Sequence, residues 1–372
     1  MSGVYKESFR SGQRPKRSRG YSLWLTACDL FVYVAMAVLL PITLVCIITP
    51  YVKPATLGWL SVLVLGAPLV FLADVIVLLY WLIRWKLRHA LLYGIVVVIL
   101  ALFVPRYYNL DPHTESKEKI NERRFIKVMS YNVANSNKVA LIDSIDKVSP
   151  DVICLQEYLS FNDDAWNRLL SRYKPTNPNL KDFSCEILSR HKILRHGIVD
   201  SMTQYATAWA DILLNQDTIR FINLHLQSTS IKEHDSQFIT EHGFISDSAR
   251  HSKLHSIVTR LRDNNIKRSE QVARVRRFID SSPVGKIILC GDFNDVPLSY
   301  TYSTLIDGLN DTFRETGHGY SYTFSDFFKL MRIDYIFCSE QLEPTTYEVR
   351  HDWSHSDHYP VIVRFKKINT KK

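Results

Sequence analysis

Cysteine is scarce in this chain, and the spacings that bind zinc or build a disulfide framework are missing. The 372 residues include six cysteines, and no two of them form a C-x-x-C pair. Small zinc sites and disulfide scaffolds both depend on closely spaced, numerous cysteines. We therefore interpret Cys154, Cys185 and Cys290, which lie inside apolar runs, as buried thiols.

Acidic residues are nearly absent from three apolar runs near the N-terminus, at about Thr26–Ile48, Leu57–Ile83 and Leu91–Val104. Asp29 and Asp74 are the acidic residues in them. A bilayer core takes about 20 apolar residues, so the first two runs are long enough to span it and the third is short. A cleavable signal peptide has one such run and a small-residue cleavage site, so that class is excluded. We expect Asp74, in the middle of a run, to have a packing role.

Basic charge is concentrated before the globular part of the chain. Residues 1–124 carry +8 of the total charge of +9, which leaves 125–372 close to neutral. The basic N-terminal tail and the cluster Arg84, Lys86 and Arg88 should both be cytoplasmic. Three spans then place everything after Val104 on the extracytoplasmic side, and the conclusion reverses if the third run does not span. We expect a cytoplasmic tail (1–22), a transmembrane region of about three helices (23–105), a linker (106–123) and a globular domain (124–368).

Short apolar runs alternate with amphipathic segments after the linker, which is typical of an α/β domain. Helical periodicity covers Lys138–Val148 and Ser252–Ser281. The predicted strands have both faces apolar, so helices should cover the sheets. The strands are Phe125–Val133, Asp151–Glu157, Glu186–Arg190, Ala210–Asn215, Thr218–Leu226, Lys286–Phe293, Arg332–Ser339 and Pro360–Phe365.

Polar side chains repeatedly occupy the ends of these strands, where ligand sites concentrate in layered α/β domains. At any single position a turn or a local hydrogen bond is the simpler interpretation. A buried carboxylate such as Glu157 or Asp334 is costly, however, unless a cation or a hydrogen bond compensates it. Carboxylate and amide oxygens favour Mg²⁺, Mn²⁺ or Ca²⁺ over zinc. The residues are Asn132, Glu157, His225, Asp292, Asn294, Asp334, Asp357 and His358.

Six of these segments occur together in the order and spacing of a known family: MSYNV, ICLQE, NLHL, GDFND, RIDYIF and SDHYP. About two-thirds of the chain resembles the endonuclease/exonuclease/phosphatase superfamily, which has the deoxyribonuclease-I-like fold. The longer segment GDFNDVPLSYTY is similar to its membrane-anchored bacterial branch. The resemblance implies a four-layered α/β/β/α sandwich and a divalent-metal-dependent phosphoesterase.

The resemblance also implies roles for the strand-end residues. Glu157 would be the chief ligand of Mg²⁺ or Mn²⁺, helped by Asn132 and Asp357. Asp292 would orient or deprotonate the attacking water, and Asn294 would hold that water or a phosphate oxygen.

Two histidines have separate roles by the same resemblance. His225 stands where the family places a phosphate-binding residue. Asp334 would polarise His358, which either transfers a proton or binds a phosphoryl oxygen. A carboxylate behind an imidazole fixes its tautomer and raises its basicity.

Several substrates stay open: a phospholipid headgroup, a sugar phosphate, a nucleotide or nucleic acid. Many nuclease relatives have a basic residue where this chain has Thr207–Ala210, and the domain is nearly neutral. Both features disfavour binding to nucleic-acid phosphates, so an extracytoplasmic nuclease is kept as the alternative and not as the first hypothesis. A catalytically inactive phosphate-binding module is a further alternative. We expect contact with the bilayer and predict no protein partner. The polar segment Thr229–Lys267 is expected to be an exposed loop over the site.

Overall fold

The computed structural model describes residues 19–110, 125–134, 138–157, 164–176, 185–202, 205–229, 248–326 and 329–366. The α-helices are α1 (Arg19–Ile48), α2 (Pro54–Leu57), α3 (Ala67–Ile83), α4 (Leu87–Ala101), α5 (Lys138–Val148), α6 (Asp164–Leu170), α7 (Ser248–Asp280), α8 (Tyr300–Leu305) and α9 (Thr312–Thr316). Short 3-10 helices are Thr49–Tyr51, Gly58–Gly66 and Val104–Arg106. The strands are β1 (Tyr108–Asn109), β2 (Phe125–Asn132), β3 (Val152–Gln156), β4 (Lys174–Pro175), β5 (Cys185–Ser189), β6 (Lys192–Met202), β7 (Tyr205–Leu214), β8 (Asp217–His225), β9 (Ile287–Asp292), β10 (Asn310–Asp311), β11 (Gly319–Tyr320), β12 (Asp334–Cys338), β13 (Pro344–Val349) and β14 (Val361–Lys366).

Two six-stranded sheets pack face to face. One has the order β10-β12-β9-β8-β7-β6, and the other has the order β13-β14-β2-β3-β5-β4. Side chains alternate between the faces of each strand, so Val152 and Cys154 of β3 enter the core between the sheets while Ile153 and Leu155 point to the other side. Cys154, Cys185 and Cys290 are buried and form no disulfide with any described residue, as expected from their apolar surroundings.

Helices cover the outer face of each sheet. Leu141 and Ile145 of α5 and Trp166 of α6 pack on the sheet that contains β3. Val272 and Val275 of α7 pack on the other sheet, together with α8. The result is the four-layered α/β/β/α sandwich that the sequence predicted.

One expectation about a loop is wrong in part. Residues 248–267 form the first turns of α7 and not a loop, which confirms the helical periodicity predicted from Ser252 onward, and Leu261, Asn264 and Asn265 are buried there. The apolar positions recur at helical spacing and continue into Val272 and Val275, which pack on the sheet, while Asn265 contacts Ser61 of the 3-10 helix Gly58–Gly66, so this packing outweighs the polar composition. Residues 230–247, with His234 and His242, lie outside the described part of the chain.

Three helical stretches among the described residues are long and apolar enough to cross a membrane. They are Leu23–Tyr51, Pro54–Ile83 and Leu87–Arg106, and the last has 20 residues, which meets the length that a span requires. Asp74 is buried and accepts hydrogen bonds from Thr43 Oγ1 at 2.8 Å and from Tyr93 Oη at 2.5 Å. This carboxylate therefore ties α3 to α1 and α4, in agreement with the expected packing role.

The helical region is docked on the sandwich through a specific contact. Val296 and Leu298, which follow β9, pack against Phe103 and Tyr107 in one apolar cluster. Arg106 donates to the carbonyl of Pro297 at 3.1 Å. The strand β1 continues the contact by pairing with β11. The loop after β9 therefore lies against the helical region.

Candidate active site

The predicted site residues meet because the strand ends that carry them lie at one edge of the sandwich. The strands β8 and β9 are parallel and place His225 directly beside Asp292. Asp334 begins the antiparallel strand β12 and lies opposite Asp292 on its other side. In the second sheet, Asn132 ends β2 beside the end of β3, and Glu157 follows β3.

Gly291 explains how Asp292 reaches its position. Its φ of 134° is outside the range that side chains readily adopt, and a Cβ there would lie 1.9 Å from the carbonyl oxygen of Leu224. Glycine thus allows β9 to approach β8 closely just before the site. Glu157 and Asn294 also have positive φ, at 51° and 53°, and turn the chain sharply after β3 and β9.

Asp292 is the centre of the arrangement and is 1 % exposed. Its Oδ1 accepts a hydrogen bond from the backbone amide of Asn294 at 2.7 Å. Its Oδ2 accepts from the side-chain amides of Asn294 at 3.0 Å and Asn132 at 3.1 Å. The Nε2 atoms of His225 and His358 each lie 3.8 Å from the same oxygen. One carboxylate oxygen thus faces two imidazoles.

His358 and Asp334 form the predicted pair. The two side chains are buried, with Nδ1 of His358 at 2.9 Å from Oδ2 of Asp334. Thr323 Oγ1 accepts hydrogen bonds from the backbone amides of Ile333 and Asp334 at 3.0 Å and so fixes the start of β12. The ring of Phe324 lies against the imidazole, with the centroids 5.0 Å apart. The imidazole therefore has a fixed orientation toward Asp292.

The two histidines have opposite pKa shifts. Burial lowers the pKa of His225 to about 4, with His358 adding to the effect and Asp292 opposing it. Burial also disfavours the charged form of His358, but the carboxylates of Asp334 and Asp292 outweigh it and raise its pKa to about 10. Burial raises the pKa of Asp292 to about 6 against the effect of His358. At neutral pH the site holds a neutral His225 and a cationic His358.

Glu157 forms the open side of the site, with 42 % of its side chain exposed. Its Oε1 accepts from the amide of Asn132 at 3.1 Å and lies 3.5 Å from Nε2 of His225. Asp357 is also exposed, and its Oδ1 accepts from Ser356 Oγ at 3.1 Å. Asp357 belongs to neither group of converging ligand atoms found among the described residues.

Two groups of potential ligand atoms converge to within 4.8 Å: Glu157, His225 and Asp292, and Asp292, Asp334 and His358. Within the described residues, Oδ1 of buried Asp334 has no hydrogen-bond partner. Closely spaced carboxylates and an unsatisfied carboxylate oxygen fit a hard divalent cation. Asn132 turns its nitrogen toward the carboxylates, and its Oδ1 accepts from the amide of Ala134, so the amide must turn over to present oxygen.

Two neighbours of the site escaped the sequence interpretation. Tyr205 packs against His225 with ring centroids 5.1 Å apart. Arg268 on α7 is fully buried, donates to the carbonyl of Gln227 at 2.9 Å and lies 3.1 Å from Asp295 Oδ2. It shares the buried face of α7 with Leu261 at helical spacing, and that periodicity is the signal that could have found it.

Two family models match the chain. A model of the Endonuclease/Exonuclease/phosphatase family matches residues 129–358, and a domain of unknown function (DUF8431) matches residues 29–107. The chain therefore belongs to the endonuclease/exonuclease/phosphatase family. No curated protein matches the chain.

Solved structures with a similar fold share little sequence with it. Truncated TDP2 from Caenorhabditis elegans is 19 % identical, with a TM-score of 0.47 over 65 % of this chain and 98 % of that chain. TDP2 from D. rerio, complexed with a single strand DNA product, is 16 % identical, with a TM-score of 0.47 over 65 % and 99 %. A family protein from Bacteroides vulgatus is 15 % identical, with a TM-score of 0.46 over 66 % and 99 %.

Proposed function

We propose that the chain is a membrane-anchored hydrolase that cleaves a phosphodiester or phosphomonoester by attack of water and depends on Mg²⁺ or Mn²⁺. Members of the family typically act on phosphoesters. The observation that carries the proposal is the position of Asp292, whose Oδ2 faces two imidazoles at 3.8 Å beside the exposed carboxylate of Glu157. Asp292 would act as the base, His358 as the acid and Glu157 as the cation-binding group around one phosphoryl group.

Hydrolysis requires an activated water, neutralised phosphoryl oxygens and a protonated leaving group. Asp292 is suited to orient or deprotonate the water, because burial raises its pKa to about 6 against the opposing effect of His358. Asn294 Nδ2 and His225 Nε2 lie 3.0 Å and 3.8 Å from Oδ2 of Asp292, and both would bind phosphoryl oxygens, Asn294 by giving up its hydrogen bond to the carbonyl of Leu226. His358, held by Asp334, is a cation that can bind a phosphoryl oxygen or give its proton to the leaving group.

The cation would be held chiefly by Glu157, with Asn132 and Asp357 nearby, and would neutralise charge on the phosphoryl oxygens. This assignment is a proposal for all three residues. Glu157 is best placed, since its carboxylate is exposed and lies 3.5 Å from His225. Residues 125–372 have almost no net charge, which favours a small or lipid-borne phosphoester over duplex DNA.

We propose the same domains and topology that the sequence predicts. They are a cytoplasmic tail (1–22), three spans within 23–105, a linker (106–123) and an extracytoplasmic catalytic domain (124–368). The length of the third helical stretch, 20 residues, supports the third span. In intact cells, a Glu340→Cys variant should react with a membrane-impermeant maleimide. Protection of that cysteine until the cells are lysed would reverse the orientation.

The function is tested with the full-length chain in detergent. Hydrolysis of bis(p-nitrophenyl) phosphate, p-nitrophenyl phosphate, a sphingomyelin-type lipid and DNA is measured with Mg²⁺, with Mn²⁺ and with EDTA. We expect turnover of at least one substrate with a cation, and a decrease of about 10²–10⁴-fold in Asp292→Asn. Glu340→Gln, an exposed residue after the far end of β12, is the matched control and should retain the full rate. Turnover that is equal in Asp292→Asn and the control would refute the proposal.

A further inference from the structure

A groove lies between α7 and the 3-10 helix Gly58–Gly66, away from the residues assigned to hydrolysis. Its volume is about 630 Å³. The 3-10 helix contributes Trp59, which is 60 % exposed. The other lining residues come from the first turns of α7: His251, Leu254, His255, Val258, Thr259 and Arg262.

The α7 side of this Trp59 groove consists of two rows at a spacing of four residues, which lie along one helix face. Leu254 and Val258 are half-buried and form an apolar row that ends at Arg262. His251 and His255 are exposed and form a polar row beside it. An apolar floor flanked by cationic and titratable groups suits an amphipathic anion.

The groove lies where the second apolar stretch, Pro54–Ile83, begins. Asn265 of α7 donates to Ser61 Oγ at 3.2 Å and holds α7 against the 3-10 helix at that level. Trp59 is near the beginning of the stretch, and tryptophan is enriched where a bilayer meets water. In the proposed topology the groove would therefore lie at the height of the lipid headgroups.

The charge of the lining residues favours an anionic ligand. The lining residues include one arginine, Arg262, and no acidic residue. Arg262 contacts the neighbouring Asp263 at 2.8 Å, but both side chains are substantially exposed, at 38 % and 49 %. Such an exposed pair is weak, so a phosphate can replace the carboxylate as the partner of the guanidinium.

We infer that the Trp59 groove binds an anionic phospholipid of the surrounding bilayer, with the phosphate at Arg262 and the histidines and an acyl chain along Trp59, Leu254 and Val258. Arg268 follows Arg262 by six residues of α7, a rise of about 9 Å, and contacts the loops that carry Gln227 and Asp295. The bound lipid would thus lie about 1.7 turns from the helix segment that supports the catalytic edge.

The test measures quenching of tryptophan fluorescence in the full-length chain in detergent by dibrominated phosphatidylglycerol and dibrominated phosphatidylcholine. The difference between wild type and Trp59→Phe isolates the contribution of Trp59. We expect half-maximal quenching of Trp59 at about fivefold less phosphatidylglycerol than phosphatidylcholine, and loss of that preference in Arg262→Gln. Arg277→Gln, an exposed position on the same helix outside the groove, is the matched control and should keep it.

Equal quenching by the two lipids, or an unchanged preference in Arg262→Gln, would overturn the inference. Soluble glycerol phosphate distinguishes a lipid site from a free-anion site. We expect millimolar glycerol phosphate to leave the quenching in place, and full displacement would overturn the lipid assignment. The readout does not use hydrolysis, so its result is independent of the proposed enzyme, and Asp292→Asn should bind lipid like wild type.

Discussion

The contact between Arg268 and Asp295 should make an isosteric change at position 295 unusually damaging. Arg268 is fully buried, and its Nη1 lies 3.1 Å from Asp295 Oδ2 and donates to Asn265 Oδ1 at 2.9 Å. Its Nη2 has no hydrogen-bond partner among the described residues. Asp295→Asn removes the carboxylate charge and leaves the guanidinium charge buried without a counterion.

Breaking a buried ion pair in this way costs about 3–5 kcal/mol. In a domain of this size about 1 kcal/mol shifts the unfolding midpoint by about 2–4 °C, so the midpoint should fall by about 6–20 °C. Asn294 precedes Asp295, and Gln227 follows His225 by two residues, so the damaged contact lies beside two assigned groups. The kcat for phosphoester hydrolysis should therefore fall more than KM rises.

Thermal unfolding of the full-length chain in detergent and steady-state kinetics measure both effects. Arg268→Met in the Asp295→Asn background should recover part of the lost midpoint, because the unpaired charge is gone. Glu343→Gln, which breaks the exposed pair with Lys366, is the control and should change the midpoint by less than about 4 °C. A control-sized shift in Asp295→Asn, or a double variant no more stable than Asp295→Asn, would refute the reasoning.

Three shorter predictions follow from the same site. Asp334→Asn should lower the rate by about 10²–10⁴-fold, because His358 loses the carboxylate that orients it; an unchanged pH–rate profile with full activity would contradict this. Gly291→Ala should prevent folding or strongly lower the unfolding midpoint, because its Cβ would lie 1.9 Å from the carbonyl oxygen of Leu224. Gly285→Ala is the control and should be tolerated, because a Cβ at Gly285 meets nothing within 4 Å. The pKa of His358 is raised to about 10 from an ordinary 6.5, so its protonated form stabilises the fold fully below pH 6.5 and progressively less as the pH rises to 10. In EDTA, the unfolding midpoint of the wild type should therefore fall more over that pH range than the unfolding midpoint of His358→Gln.

The sequence predicted the central strands well because burial on both faces gives them continuous apolar runs. The predicted run DVICLQE contains the strand β3, and the predicted run KIILCGDF contains the strand β9. The strands β6 and β13 were missed because they lie at the edges of their sheets. β6 has two register irregularities and contains Arg195, His196 and Gly197, and β13 begins with a proline, so neither shows regular alternation.

Local sequence patterns could not predict the contacts between residues that are far apart in the chain. The packing of Val296 and Leu298 on Phe103 joins residues nearly 200 positions apart. The ion pair of Arg268 with Asp295 joins a helix to a loop, and an arginine in a polar helix normally indicates a solvated face. Asp357 stays a proposed ligand: its motif predicts that role, and its side chain lies outside the two converging groups.

The central claim is that the edge carrying Glu157 and Asp292 binds the cation on which hydrolysis depends. The direct measurement is a Mn²⁺ titration of the full-length chain, followed by electron paramagnetic resonance for binding and by phosphodiester hydrolysis for activity. We predict that binding and activation have the same midpoint, and that Glu157→Gln shifts both to at least about tenfold higher Mn²⁺ while Glu340→Gln shifts neither. Activity without any cation, or midpoints that Glu157→Gln leaves unchanged, would contradict the account.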